Sequence, residues 1–137
     1  MPATDPALPL RRLSAWESLV MNQVPSPINF AALLEMLGGE KQIVASLLSK
    51  FAEELTSDLA ASEQAMVDHD AEALRQVAHR IKGTSANLHA LMLSAAAREL
   101  EQACTEADAP LMGIKQQVMS DQARAVQKAI ASWHANS

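Results

Sequence analysis

The sequence has no tyrosine, two tryptophans and two phenylalanines, so aromatic residues make up 3% of its 137 positions. A core without aromatic bulk must be assembled from Leu, Ile, Val, Met and Ala, which suits closely approaching helices better than a sheet. Cysteine occurs once, as Cys104, which excludes an intramolecular disulfide and fits a reducing compartment. No stretch of about 18 uncharged apolar residues occurs, which excludes a membrane-spanning helix. Lys and Arg form no run and the formal net charge is -5. The clustered cations that carry affinity for a phosphate backbone are therefore missing, and nucleic acid is not expected as a partner. Residues 1–13 hold Pro2, Pro6 and Pro9 and place their arginines after the apolar residues, the reverse of a signal peptide, so a cytoplasmic protein is expected.

Proline is absent from everything between Pro27 and Pro110. That interval is rich in Ala, Leu, Glu and Gln and poor in β-branched residues, so it reads as helix throughout. Leu10, Leu13, Trp16 and Val20 predict a short amphipathic helix over residues 10–21, ended by Val24-Pro25-Ser26-Pro27. A second short helix is expected after Asn29, with Phe30, Leu33, Leu34 and Leu37 on one side and Gly38-Gly39 as its left-handed stop. A long helix over residues 40–67 follows, with Val44, Leu47, Leu48, Phe51, Leu55, Leu59 and Met66 on one stripe. Asp70 is placed to cap the next helix, which runs from Ala71 to about Leu88. The following stripe is Leu93, Ala96, Ala97, Leu100, Ala103, Cys104 and Ala107, ended by Asp108-Ala109-Pro110. The last helix, over residues 111–133, is expected to bury Leu111, Ile114, Val118, Ala125, Ala129 and Trp133. Short connections force antiparallel neighbours, so the expected fold is all-α. It is an up-down-up-down four-helix bundle over residues 28–137, preceded by an extension over residues 1–27, with two short accessory helices at the N-terminal end.

One segment does not read as plain bundle: Ala78-His79-Arg80-Ile81-Lys82-Gly83-Thr84-Ser85-Ala86-Asn87-Leu88. At about 100° per residue, Leu74, Val77, Ile81 and Leu88 lie roughly 160–220° from His79, so the histidine points away from the core. Arg75, Lys82, Gly83 and Ala86 fall within about 60° of it, which surrounds the imidazole with two cations and two nearly bare positions. A mid-helix glycine costs about 1 kcal/mol relative to alanine, and nothing at Gly83 signals a kink or a helix end. Its absent side chain gives a bulky group free approach to His79, and Lys82 offers an ammonium to an arriving anion. Neutral imidazole is nucleophilic near pH 7 without an activating base, and a phosphoryl dianion bound to it is stabilised by a nearby cation. The bland alternative is a solvated helix face on an acidic bundle, which leaves Gly83 unexplained.

This segment resembles the central motif of histidine-containing phosphotransfer (HPt) domains: an Ala-His pair, then Lys-Gly, then a small-residue run ending in Gly on one bundle helix. The likeness extends through Leu37-Gly38-Gly39-Glu40, the helix over residues 43–67 and Asp70-Ala71-Glu72-Ala73-Leu74, covering about residues 28–108. It implies that His79 is the phosphorylated residue, Lys82 the phosphate-stabilising cation and Gly83 the clearance position. It also implies response-regulator receiver domains as partners in a two-component phosphorelay, with any Mg²⁺ carried by the receiver and no cofactor here. His89 stands where the family usually has glycine, which leaves the geometry from Asn87 to Ala90 open.

Bundle di-metal sites need Glu-x-x-His pairs, but Gln76 precedes His79 by three and Met66 precedes His69 by three, so no metal is expected. No Gly-rich phosphate loop, nucleophile elbow or Cys/His metal spacing appears. The chain has no room for an ATP-binding domain, so it is not expected to phosphorylate itself from ATP. Two functions from different classes follow: a histidine phosphocarrier between receiver domains, or a helical docking module with an incidental surface histidine. A monomer suffices for the first. The sequence leaves open whether the chain stands alone or is the C-terminal domain of a hybrid sensor histidine kinase.

Overall fold

The computed structural model describes residues 26–136. Within them lie five helices and no strand: α1 (Phe30–Met36), α2 (Lys41–Val67), α3 (Ala71–Asn87), α4 (Leu91–Thr105) and α5 (Ala109–Ala135). The amphipathic helix expected over residues 10–21 lies outside the described residues. Starts are set by side-chain caps. Asn29 Oδ1 accepts from the Ala32 N–H at 2.9 Å, Asp70 Oδ1 from Ala73 N–H at 3.0 Å and Asp108 Oδ1 from Leu111 N–H at 3.1 Å. The last of these corrects an expectation. Asp108-Ala109-Pro110 is the beginning of α5 and not merely the end of α4, because proline in the first turn gives up only an N–H that has no helical partner there.

Consecutive long helices are joined by Asp68-His69-Asp70, Leu88-His89-Ala90 and Glu106-Ala107-Asp108, each built the same way. The middle residue turns left-handed, with φ of 53° at His69, 60° at His89 and 54° at Ala107. The next N–H then reaches back to the helix just ended: Asp70 to Ala65 O at 2.9 Å, Ala90 to Ser85 O at 2.8 Å, Asp108 to Ala103 O at 3.2 Å. His89 thus closes the end of α3 as a glycine would, at the steric cost of about 1–2 kcal/mol that a side chain incurs in this conformation. Ala107, expected in the α4 stripe, is carried out to solvent by its turn.

In the packing, α3 lies on α2 and α4, α5 lies on α4 and α2, and α1 rests on α2. Apart from Phe51 the core is aliphatic, in keeping with the scarcity of aromatics. Val44, Leu48, Phe51, Leu55 and Leu59 come from α2, Leu74, Val77, Ala78 and Ile81 from α3, and Leu93, Ala97 and Leu100 from α4. Phe30 stacks on Trp133 with centroids 5.9 Å apart, fastening α1 to the end of α5.

The face of α5 is a second correction. Ile114 is 60% exposed and Val118 44% exposed, whereas the buried residues are Gln116, Met119, Ser120, Ala123, Val126 and Ile130. Helix α5 is apolar on two adjoining faces: of the expected stripe Ile114 and Val118 lie exposed, Leu111 and Ala125 are half-buried, and Ala129 and Trp133 pack against the core from its edge. The inner face is accepted because its polar members satisfy one another. Gln116 Nε2 donates to Ser62 Oγ at 3.2 Å and to Ser120 Oγ at 2.9 Å, and Ser62 Oγ donates to the Leu59 carbonyl at 2.8 Å. Buried amide and hydroxyl groups without such partners would be costly, so this arrangement is what makes the inner register tenable.

Candidate functional site

Helix α3 is amphipathic with one apolar face, and its buried Leu74, Val77, Ala78 and Ile81 turn His79 to the outside. The His79 side chain is 64% exposed. Gly83 and Ala86 are exposed beside it, and a methyl group placed on Gly83 would meet nothing within 4 Å. Neither packing nor a left-handed backbone within this chain therefore requires glycine at that position.

The structure brings His79 and Lys82 together through a residue that the sequence reading did not single out. Glu101, on α4, bridges the two: its Oε2 lies 2.8 Å from His79 Nδ1 and its Oε1 2.6 Å from Lys82 Nζ. Arg75 stands 3.8 Å from Glu101 Oε2 and is held chiefly by Glu72, through Nε at 2.9 Å and Nη2 at 2.7 Å. The hydrogen bonds from Arg75 hold the Glu72 carboxyl down to about 2. The Lys82 ammonium, expected to be on offer to an arriving anion, is already paired in this structure, and only 32% of the side chain is exposed. The cause is the close approach of α3 and α4. Small buried residues, Ala78 on one helix and Ala96 and Ala97 on the other, leave little between them, so an acidic side chain at the edge of α4 reaches across.

The electrostatics of Glu101 set the direction of its bond to His79. The Lys82 hydrogen bond, more than any other influence, lowers the pKa of Glu101 against the opposing effect of partial burial, and the contact with His79 adds to it. An ionised carboxylate accepts only, so Nδ1 of His79 is the donor. In a neutral ring that leaves Nε2 with the free lone pair, directed away from Glu101. An exposed imidazole, a cation one turn further on and an open approach are thus assembled on one face of α3.

One sequence signal for Glu101 existed. In Arg98-Glu99-Leu100-Glu101 it immediately follows the core residue Leu100, at the margin of the buried stripe. That margin faces either neighbouring helix, and only packing tells which. The other histidines stand apart from this arrangement: His69 and His89 occupy turns, and His134 lies 3.2 Å from Ser49 Oγ at the far end of α5. Among the described residues no group of His, Cys, Asp and Glu is disposed to hold a metal ion, and no helix is long and apolar enough to cross a membrane. Burial pushes the Cys104 thiol up, which leaves it protonated.

The model of the Hpt domain family matches residues 46–133, a span that contains His79, Lys82, Gly83 and Glu101. The fold is similar to the crystal structure of histidine-containing phosphotransfer protein B from Pseudomonas aeruginosa PAO1. The TM-score is 0.75 at 22% identity, over 84% of this chain and 99% of that one. No curated protein sequence matches significantly. With the family model covering well over half of its length, the chain belongs to the Hpt domain family, the histidine-containing phosphotransfer modules of two-component phosphorelays.

Proposed function

We propose that this protein is a phosphocarrier that takes a phosphoryl group from the aspartyl phosphate of one receiver domain and passes it to the aspartate of another. The carrying observation is the exposed His79 whose Nδ1 is engaged by Glu101 at 2.8 Å, which leaves Nε2 free for attack. In the forward step Nε2 bonds to phosphorus as the acyl phosphate P–O bond breaks, and the aspartate leaves as a carboxylate. The ring gains positive charge as the N–P bond forms, and the Glu101 carboxylate on Nδ1–H offsets it. Lys82 faces the charge of the phosphoryl oxygens, and Gly83 gives the receiver's loops room to bring their aspartate to the ring. Return of the phosphoryl group to a second receiver reverses these bond changes.

In this reading magnesium belongs to the receiver, and this chain has neither a cofactor nor an ATP-dependent kinase activity of its own. The net charge of -5 supports a protein partner over nucleic acid, and the reading places a monomer in the cytoplasm. The scaffold is taken as an antiparallel up-down-up-down four-helix bundle within residues 28–137, supported by the closed ring of packing and the three short turns, with residues 1–27 as an extension.

The test is exposure to a panel of phosphorylated receiver domains, followed by acid treatment. We expect acid-labile phosphate on the parent and none on His79→Gln, with the variant's helical content and melting nearly unchanged. Undiminished labelling of His79→Gln would overturn the assignment, and a parent that no receiver labels would favour a docking module with an incidental histidine.

A further inference from the structure

Helices α3 and α4 are tied by polar bonds at two levels. Glu101 makes the lower tie. The upper one is a bond from Ser94, in the first turn of α4, whose Oγ donates to the backbone carbonyl of Lys82 at 2.9 Å. Ser94 and Glu101 are two helical turns apart on the face of α4 that meets α3, and both bonds converge on the same residue of α3: Ser94 holds its backbone, Glu101 its ammonium.

The upper bond is not one the fold needs for satisfaction. The Lys82 carbonyl lies inside α3, where the helical bond from Ala86 N–H already serves it, so the serine hydroxyl adds a second partner. Serine is also a poorer helix former than alanine. What the bond does fix is the register of α3 against α4 at the position carrying the cation. Register matters here because one carboxylate must serve two donors at once. Displacing α3 along α4 strains the bonds of 2.8 Å and 2.6 Å unequally, because they reach residues three positions apart on α3.

We infer that Ser94 is a positioning residue of the phosphotransfer site, one that holds α3 in the register at which Glu101 reaches His79 Nδ1 and Lys82 Nζ together. The inference rests on the proposed role of His79 for its effect on rate, and on geometry alone for its effect on the imidazole.

The experiment compares the parent, Ser94→Ala and Ser94→Thr in the full chain. One arm records the ¹⁵N resonances of the His79 ring, which distinguish Nδ1–H from Nε2–H and require no phosphotransfer. The other follows acid-labile labelling by phosphoramidate, a small donor that loses ammonia as the N–P bond to the ring forms. Ser94→Ala should move the ring signals away from the Nδ1–H pattern and slow labelling about three- to tenfold, the range for loss of one hydrogen bond, with melting little changed. Ser94→Thr, which keeps the hydroxyl, should restore both. Unchanged ring signals in Ser94→Ala would overturn the inference whatever the rates. Shifted ring signals with no labelling of the parent would uphold Ser94 as the positioner of His79 and overturn the phosphocarrier reading instead.

Discussion

Glu101 is the residue whose removal tests the site most directly, because it serves His79 and Lys82 with different oxygens. Glu101→Ala deletes both services, whereas Glu101→Gln keeps a carbonyl oxygen for Nδ1–H and deletes only the charge that holds the ammonium. A charge-assisted hydrogen bond contributes about 1.5–3 kcal/mol when well protected. Here the imidazole is 64% exposed and the lysine side chain 32%, which places each bond at or below the bottom of that range. If the His79 bond contributes about 1–1.4 kcal/mol to the transition state, Glu101→Ala should label about five- to tenfold more slowly with phosphoramidate, and Glu101→Gln within about threefold of the parent. Glu101→Ala should lose about 1–2 kcal/mol of fold stability, seen as a melting point lower by roughly 3–8 °C, and Glu101→Gln about half as much.

The pH dependence has a definite sign. The folded state lowers the pKa of Glu101 below its ordinary value of 4.5, so this stabilisation is complete above that value and is lost as pH falls through the lowered one. The melting difference between parent and Glu101→Gln should therefore shrink as pH falls below 4.5. Labelling of Glu101→Ala at the parent rate would refute the view that this carboxylate orients the ring. A melting difference that persists undiminished well below pH 4.5 would refute the charge argument.

Gly83→Ala should raise stability by up to about 1 kcal/mol in thermal unfolding, since the added methyl meets nothing. Gly83→Leu should slow transfer from a phosphorylated receiver severely while leaving labelling by phosphoramidate intact, a split that only a clash with the partner produces. In the core, Gln116→Leu alone should cost about 1–3 kcal/mol in urea denaturation, because it takes from Ser120 and Ser62 the amide donor they share. The same change combined with Ser62→Ala and Ser120→Ala should be nearly neutral, since no polar group is then stranded.

How much of this was legible beforehand differs from helix to helix. Helix α3 was readable because it has one apolar face: once Leu74, Val77 and Ile81 are buried, His79 has only one way to point. The caps at Asn29 and Asp70 and the Gly38-Gly39 stop were readable because they are local chemistry, settled within a few residues of chain. Helix α5 was not. Two of its faces are apolar, and the sequence offers no local reason to prefer the one carrying Gln116 and Ser120 over the one carrying Ile114 and Val118. The preference comes from Ser62, 54 residues away in the chain, which gives the buried amide its partner. Glu101 is the same case at the functional site. Composition placed an acidic residue at the edge of the α4 stripe, and only the close packing of α3 on α4 turned it toward His79 rather than toward solvent. Local order follows from short-range periodicity and capping, which a single segment carries in full. Register and the pairing of polar groups depend on what a second helix presents, and that is decided only when the helices meet.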